Sequence, residues 1–142
     1  MNTKHFSSLS MALIASLLIF SIAYAGLYVG PSGTVGGVGY STAHWIQRST
    51  NSFQDRADSK SNSNISRLGG ITFASRVWCG SVIRDTTNHG GWVLYNANYA
   101  YLYGGMNWGA ACTNQKAGTA AQHDFSNGGQ TSQPYHYATE AR

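Results

Sequence analysis

The sequence predicts an all-β fold: a small antiparallel β-sandwich or barrel with Gly-rich turns and one disulfide. Three observations point there. Residues 71–84 and 92–103 alternate with a period of two and are rich in β-branched and aromatic side chains. The chain holds 17 glycines in 142 residues, many in clusters that break helices and supply turns. The one candidate helical stripe, Ala43, Ile46, Phe53 and Ala57, runs through Ser, Thr and Asn residues that compete with helix hydrogen bonds, which favours strand.

Taken in order, the chain opens with Lys4 and His5, an apolar run from Leu9 to Ala23, and Ala23-Tyr24-Ala25. That is the charged, apolar and small-x-small pattern of an export leader, too short for a membrane span. Residues 1–25 are expected to be a signal peptide and 26–142 a single exported β-rich domain. Gly26 to Gly39 is too Gly-rich for a helix and reads as an arm or a weak strand. Val38 to Arg48 alternates as a strand. Thr50 to Ser66, polar and poor in apolar residues, is expected to be an exposed loop.

The centre reads as an antiparallel meander. A strand over 71–84, with Gly80 as a plausible bulge, is followed by a turn at 85–91. A second strand covers 92–103, a turn falls at Gly104-Gly105, and a third strand covers 106–113. Residues 114–134 are polar and Gly-rich, and 135–140 form a short last strand. The expected core is Ile71, Phe73, Val77, Ile83, Trp92, Leu94, Leu102 and Trp108. The mature chain has only 17 Leu, Ile, Val and Phe residues, so its four Trp and eight Tyr residues must supply much of the apolar area.

Cys79 and Cys112 are the only cysteines. In an exported chain they are expected to pair, linking the first and third strands of the meander.

Charge and spacing exclude several functions. The mature chain carries 8 Lys and Arg against 5 Asp and Glu, and Arg48, Arg56, Lys60, Arg67, Arg76, Arg84, Lys116 and Arg142 are scattered. Nucleic-acid binding leaves a clustered basic footprint, so no such partner is expected, and no stable membrane span either. His44, His89, His123 and His136 show no metal-ligand spacing, so the sequence implies no metal and no cofactor. His123 and Asp124 would face opposite sides of a strand. Asp85 and His89 flank the expected turn, where a turn hydrogen bond and a solvated imidazole are the simplest reading. No Gly-x-Ser-x-Gly elbow occurs, and the acids are only Asp55, Asp58, Asp85, Asp124 and Glu140. Catalysis is not expected.

One pattern has a positive functional reading. Tyr95, Tyr99, Tyr101 and Tyr103 gather on one face of one strand. They are either core, facing a Gly-rich strand such as 35–39, or an exposed platform. Four adjacent hydroxyls are hard to satisfy in a dry core, which favours the platform, with Trp108 beside it. The expected function is a secreted binding module, extracellular or periplasmic, that recognises carbohydrate or a cell-surface protein through this face. The alternative is a secreted antibacterial, toxin-like protein acting on cell envelopes.

Overall fold

The structure, a computed structural model, describes residues 25–142. The expected leader, up to its last residue, lies outside the described residues. The described residues form seven strands: β1 (Ala25–Val35), β2 (Val38–Arg48), β3 (Ser52–Cys79), β4 (Val82–Asn107), β5 (Gln115–Asn127), β6 (Gln130–Ser132) and β7 (Tyr135–Ala141). They form one antiparallel sheet in the order β1-β2-β3-β5-β6, with β4 on the other edge of β3 and β7 paired to β5. Among the described residues no helix is long and apolar enough to cross a membrane.

β3 is the spine. Its first part pairs β2, from Arg48↔Phe53 to Tyr40↔Ser61, and its second pairs β5, from Arg67↔Ser126 to Cys79↔Gln115. β4 pairs β3 along both parts, so β2 and β5 occupy consecutive lengths of one edge. A register shift between Lys60 and Ile65 separates the two parts. The first hairpin packs against the C-terminal strands, and the sheet does not close. Tyr28 donates to Glu140 (3.1 Å), Arg48 pairs with Glu140 (3.0 Å), and the Tyr40 and Ser132 hydroxyls meet at 2.7 Å.

The Gly-rich start is a regular strand. Gly36 and Gly37, at φ 52° and 78°, form the two-residue turn of the β1–β2 hairpin. Positive φ at both positions matches the right-handed strand twist, and glycine adopts it without a Cβ penalty.

The expected loop at 50–66 is instead the first part of β3. Phe53, Asp55, Ala57 and Ser59 are all fully buried or nearly so. Polarity misled here because the polar side chains are buried and bonded to other polar side chains. The expected turns at 85–91 and 104–105 are absent, since β4 runs unbroken through both. Its polar start reflects an outer strand hydrogen-bonded only to β3. The expected third strand, 106–113, is mostly a connection: β4 ends at Asn107 and β5 begins at Gln115. Residues 115–127 form a buried strand whose Ala117, Gly118, Ala120 and Ala121 let neighbours pack closely.

The Cys79–Cys112 disulfide is present, with Cα atoms 5.8 Å apart. It ties the end of β3 to the β4–β5 connection, not strand to strand.

The core falls into two apolar clusters. One contains Ala57, Leu68, Phe73, Trp92, Ala121 and Phe125; the other contains Ile46, Phe53, Val77, Trp108 and Ala117. Three strand segments pass from one cluster to the other through a buried polar residue: Phe53-Asp55-Ala57, Phe73-Ser75-Val77 and Ala117-Thr119-Ala121. Phe73, Val77, Trp92 and Trp108 are buried as expected, and Leu102 packs partly buried. Ile71, Ile83 and Leu94 are instead 38%, 41% and 49% exposed. Register shifts at Gly70/Phe73 and Val77/Trp78 change which side faces inward.

Candidate functional site

Period-two alternation puts every second residue of β1, β2, the first part of β3 and the end of β4 on one outward face. The registers give its rows directly. Leu27 pairs Trp45, which pairs Arg56, which pairs Tyr103; Val29 pairs Ala43, then Asp58, then Tyr101; Lys60 pairs Tyr99. The face is apolar on the β1 side, charged in the middle and phenolic on the β4 side. Leu27 and Val29 are 65% and 79% exposed, and Tyr99, Tyr101 and Tyr103 about half exposed.

The tyrosines are a contiguous row. Ring centres lie 5.5 Å apart for Tyr99–Tyr101 and 5.4 Å for Tyr101–Tyr103, with the planes tilted 39° and 79°. The surface is therefore ridged. Arg56 fills its centre. Its guanidinium carbon stands 5.6 Å from the ring centres of both Tyr101 and Tyr103 and 6.0 Å from Trp45. Its Nε bonds Asp58 at 3.0 Å, and Nη1 donates to the Tyr103 hydroxyl at 3.3 Å. The Tyr99 hydroxyl donates to the other Asp58 oxygen at 2.8 Å. Partial burial, then the bond to Asp58, pushes that hydroxyl up to about 12, so it stays protonated.

Two of the expected binding residues stand apart. Tyr95 is exposed, but no ring contact joins it to the row among the described residues. Asn96, at φ 49°, interrupts the alternation between Tyr95 and Tyr99. Trp108 is not on this face. It is 1% exposed, packs against Phe53 with ring centres 5.2 Å apart, and donates Nε1–H to the Ser49 carbonyl. Sequence reasoning missed Trp45, Arg56 and Asp58, because the segment holding Arg56 and Asp58 was read as a loop.

The interior holds two polar constellations. In the first, the Ser75 hydroxyl lies 2.7 Å from Asp55 and 2.6 Å from His89 Nε2. His89 is thus held by Ser75, not solvated, while Asp85 accepts from the Thr86 amide. The serine, not the histidine, occupies the middle position, and it is fully buried, so it is no activated nucleophile of the Ser-His-Asp kind. Burial raises the Asp55 carboxyl to about 6 against the opposing hydrogen bonds of Ser75 and Thr119.

In the second, His44, His123 and His136 converge from β2, β5 and β7, with donor nitrogens within 4.8 Å of one another. These are the residues able to hold a metal. Burial, then neighbouring imidazoles, lowers His44 to about 2 and His123 to about 3, so both are neutral. Asp124 does point the other way, to Arg67 at 2.6 Å. Local spacing could not reveal this cluster, because its members come from three strands.

No family model, curated protein or solved structure matches the chain.

Proposed function

We propose that the chain is a secreted, non-catalytic binding module that recognises carbohydrate through the Tyr99-Tyr101-Tyr103 face. The observation that carries this reading is an exposed aromatic row with the Arg56–Asp58 pair set into it. A sugar ring offers apolar C–H faces and a rim of hydroxyls. Tyrosine and tryptophan rings cover the first, while guanidinium, carboxylate and phenol groups exchange hydrogen bonds with the second. An exposed apolar and aromatic patch of this width also marks an interaction site in general terms.

The acids support a role without catalysis. Asp55 and Asp58 lie three apart on one strand and so face opposite sides. Asp124 is paired with Arg67 and Glu140 with Arg48. Asp85 accepts from the Thr86 amide, so among the described residues no carboxylate pair is set up as glycoside hydrolysis requires. The disulfide is consistent with an oxidising compartment.

The test is affinity electrophoresis and array binding of residues 26–142 against soluble and insoluble polysaccharides. Retention on one glycan class, reduced by Arg56→Gln, supports the reading. No retention on any glycan, with Arg56-dependent binding to a surface protein, replaces carbohydrate by a protein ligand at the same face.

A further inference from the structure

His44, His123 and His136 lie on the inner side of the sheet, opposite the face that carries the tyrosine row. His44 and His123 are fully buried, and His136 retains 8% exposure. Three buried imidazoles are unusual ballast for a core this small, since each brings two polar nitrogens that must be satisfied.

The hydrogen bonds leave them unsatisfied. The Ser59 hydroxyl donates its single proton to the Gly69 carbonyl (2.6 Å) and therefore accepts from His123 Nδ1–H (2.9 Å). His123 Nε2 then carries a lone pair, aimed at His44 Nε2 at 3.3 Å. His44 also bonds the Thr119 backbone, which leaves its Nε2 facing that of His123, while the Nδ1 of His136 is buried without a hydrogen-bond partner. Protein groups alone thus strand the Nδ1 of His136 and set two Nε2 atoms against each other.

The same geometry suits a cation. A tetrahedral metal with bonds of about 2.0–2.1 Å to nitrogen has ligand nitrogens about 3.3–3.4 Å apart. The His44–His123 nitrogen separation, 3.3 Å, is that edge. His136 lies against His44 with ring centres 4.1 Å apart, and all three ligand nitrogens fall within 4.8 Å of one another, so a side-chain movement of His136 completes the third vertex. Ser59 supplies the outer-shell bond that fixes the His123 tautomer with Nε2 free, as ligating histidines usually need. Gly30 closes over the site, and a Cβ there would overlap the His136 ring and the Thr42 hydroxyl.

We propose that His44, His123 and His136 form a three-imidazole site for a divalent transition-metal ion of the zinc and copper type, clipping β2 to β5 and β7. Imidazole sets of this kind suit zinc, copper and nickel, and disfavour calcium and magnesium. β2 has no hydrogen-bond ladder to β5 or β7, and His44 and His123 are 79 residues apart in sequence. The ion would therefore join two parts of the chain that the sheet alone leaves to side-chain packing. The fourth position is left to water entering past His136, the only one of the three with residual exposure.

The experiment uses residues 26–142, stripped with a chelator and titrated with zinc sulfate by calorimetry. The expected results are one zinc per chain, a higher Tm with zinc than with chelator, and X-ray absorption showing three imidazole nitrogens at about 2.0–2.1 Å. His136→Gln should abolish stoichiometric uptake, Ser59→Ala should weaken it about 10–100-fold, and His89→Gln should leave it unchanged. Should His136→Gln fail to fold, the wild-type stoichiometry and absorption spectrum decide alone. No stoichiometric zinc uptake by the wild-type chain, a spectrum with fewer than three imidazoles, or wild-type affinity in a folded His136→Gln variant would each overturn the proposal.

Discussion

Arg56 stands over Tyr101, its guanidinium carbon 5.6 Å from the ring centre, while its Nε holds Asp58 at 3.0 Å. The cation is thereby fixed between a carboxylate and an aromatic face. Three strands contribute to the arrangement, because Trp45, Arg56 and Tyr103 are successive partners across β2, β3 and β4. An Arg held this way presents its remaining donors outward with little rotamer freedom left to lose on binding.

Replacing Arg56 by Lys should separate geometry from charge. The net charge is kept, but the planar fork and its stacking are lost. Stability, read by thermal melting, should fall only modestly, because the lysine ammonium keeps a cation beside the nearly buried Asp58. Ligand retention should fall nearly as far as in Arg56→Gln.

Trp108→Ala should act in the opposite way. The indole is buried against Phe53, and its Nε1–H and amide bond the carbonyls of Ser49 and Asn51. Truncation should lower stability by about 3–5 kcal/mol, as for other buried aromatics. Any variant population that remains folded should bind as well as the wild type. Denaturant titration followed by a binding assay checks both halves.

Much of this fold was legible in the sequence, and the errors share one physical cause. Alternation between 71 and 103 marked two strands, and the cysteine pair marked the disulfide. Thr50–Ser66 was read as an exposed loop and 114–134 only as polar and Gly-rich, yet β3 and β5 bury Asp55, Ser59, Thr119 and His123. Composition reports the polarity of a segment, while burial depends on whether partners such as Ser75 or Ser59 arrive from elsewhere in the chain. The tyrosine face was legible for Tyr99, Tyr101 and Tyr103, where the period is unbroken. Arg56 was invisible, because its place beside them depends on the pairing of β3 with β4. Trp108 was misplaced because the backbone leaves the strand at Asn107.

Asp55 should give stability a distinctive pH dependence. Its folded value, raised to about 6 from 3.8, means that the fold favours the protonated acid. That contribution is fully present below the unfolded value and is lost as pH rises through about 6. Asp55→Asn removes the titration, so its stability relative to wild type should improve between pH 4 and pH 7 by up to about 3 kcal/mol. Chemical denaturation at the two pH values measures the difference.

Opening the disulfide should destabilise the chain without altering the binding face. The Cys79–Cys112 link closes a span of 33 residues, and neither cysteine belongs to the tyrosine row. Cys79→Ser with Cys112→Ser should lower stability by about 3–4 kcal/mol, checked by the urea midpoint. Glycan retention measured below that midpoint should persist.

The most direct measurement of the central claim is the double variant Tyr99→Ala with Tyr101→Ala, assayed in parallel for thermal stability and for glycan retention. The rings are half exposed, but Tyr99 bonds the buried Asp58, so stability should fall by no more than about 1–3 kcal/mol while retention is abolished. A loss of several kcal/mol, or retention equal to that of the wild-type chain, would contradict a recognition role for this face.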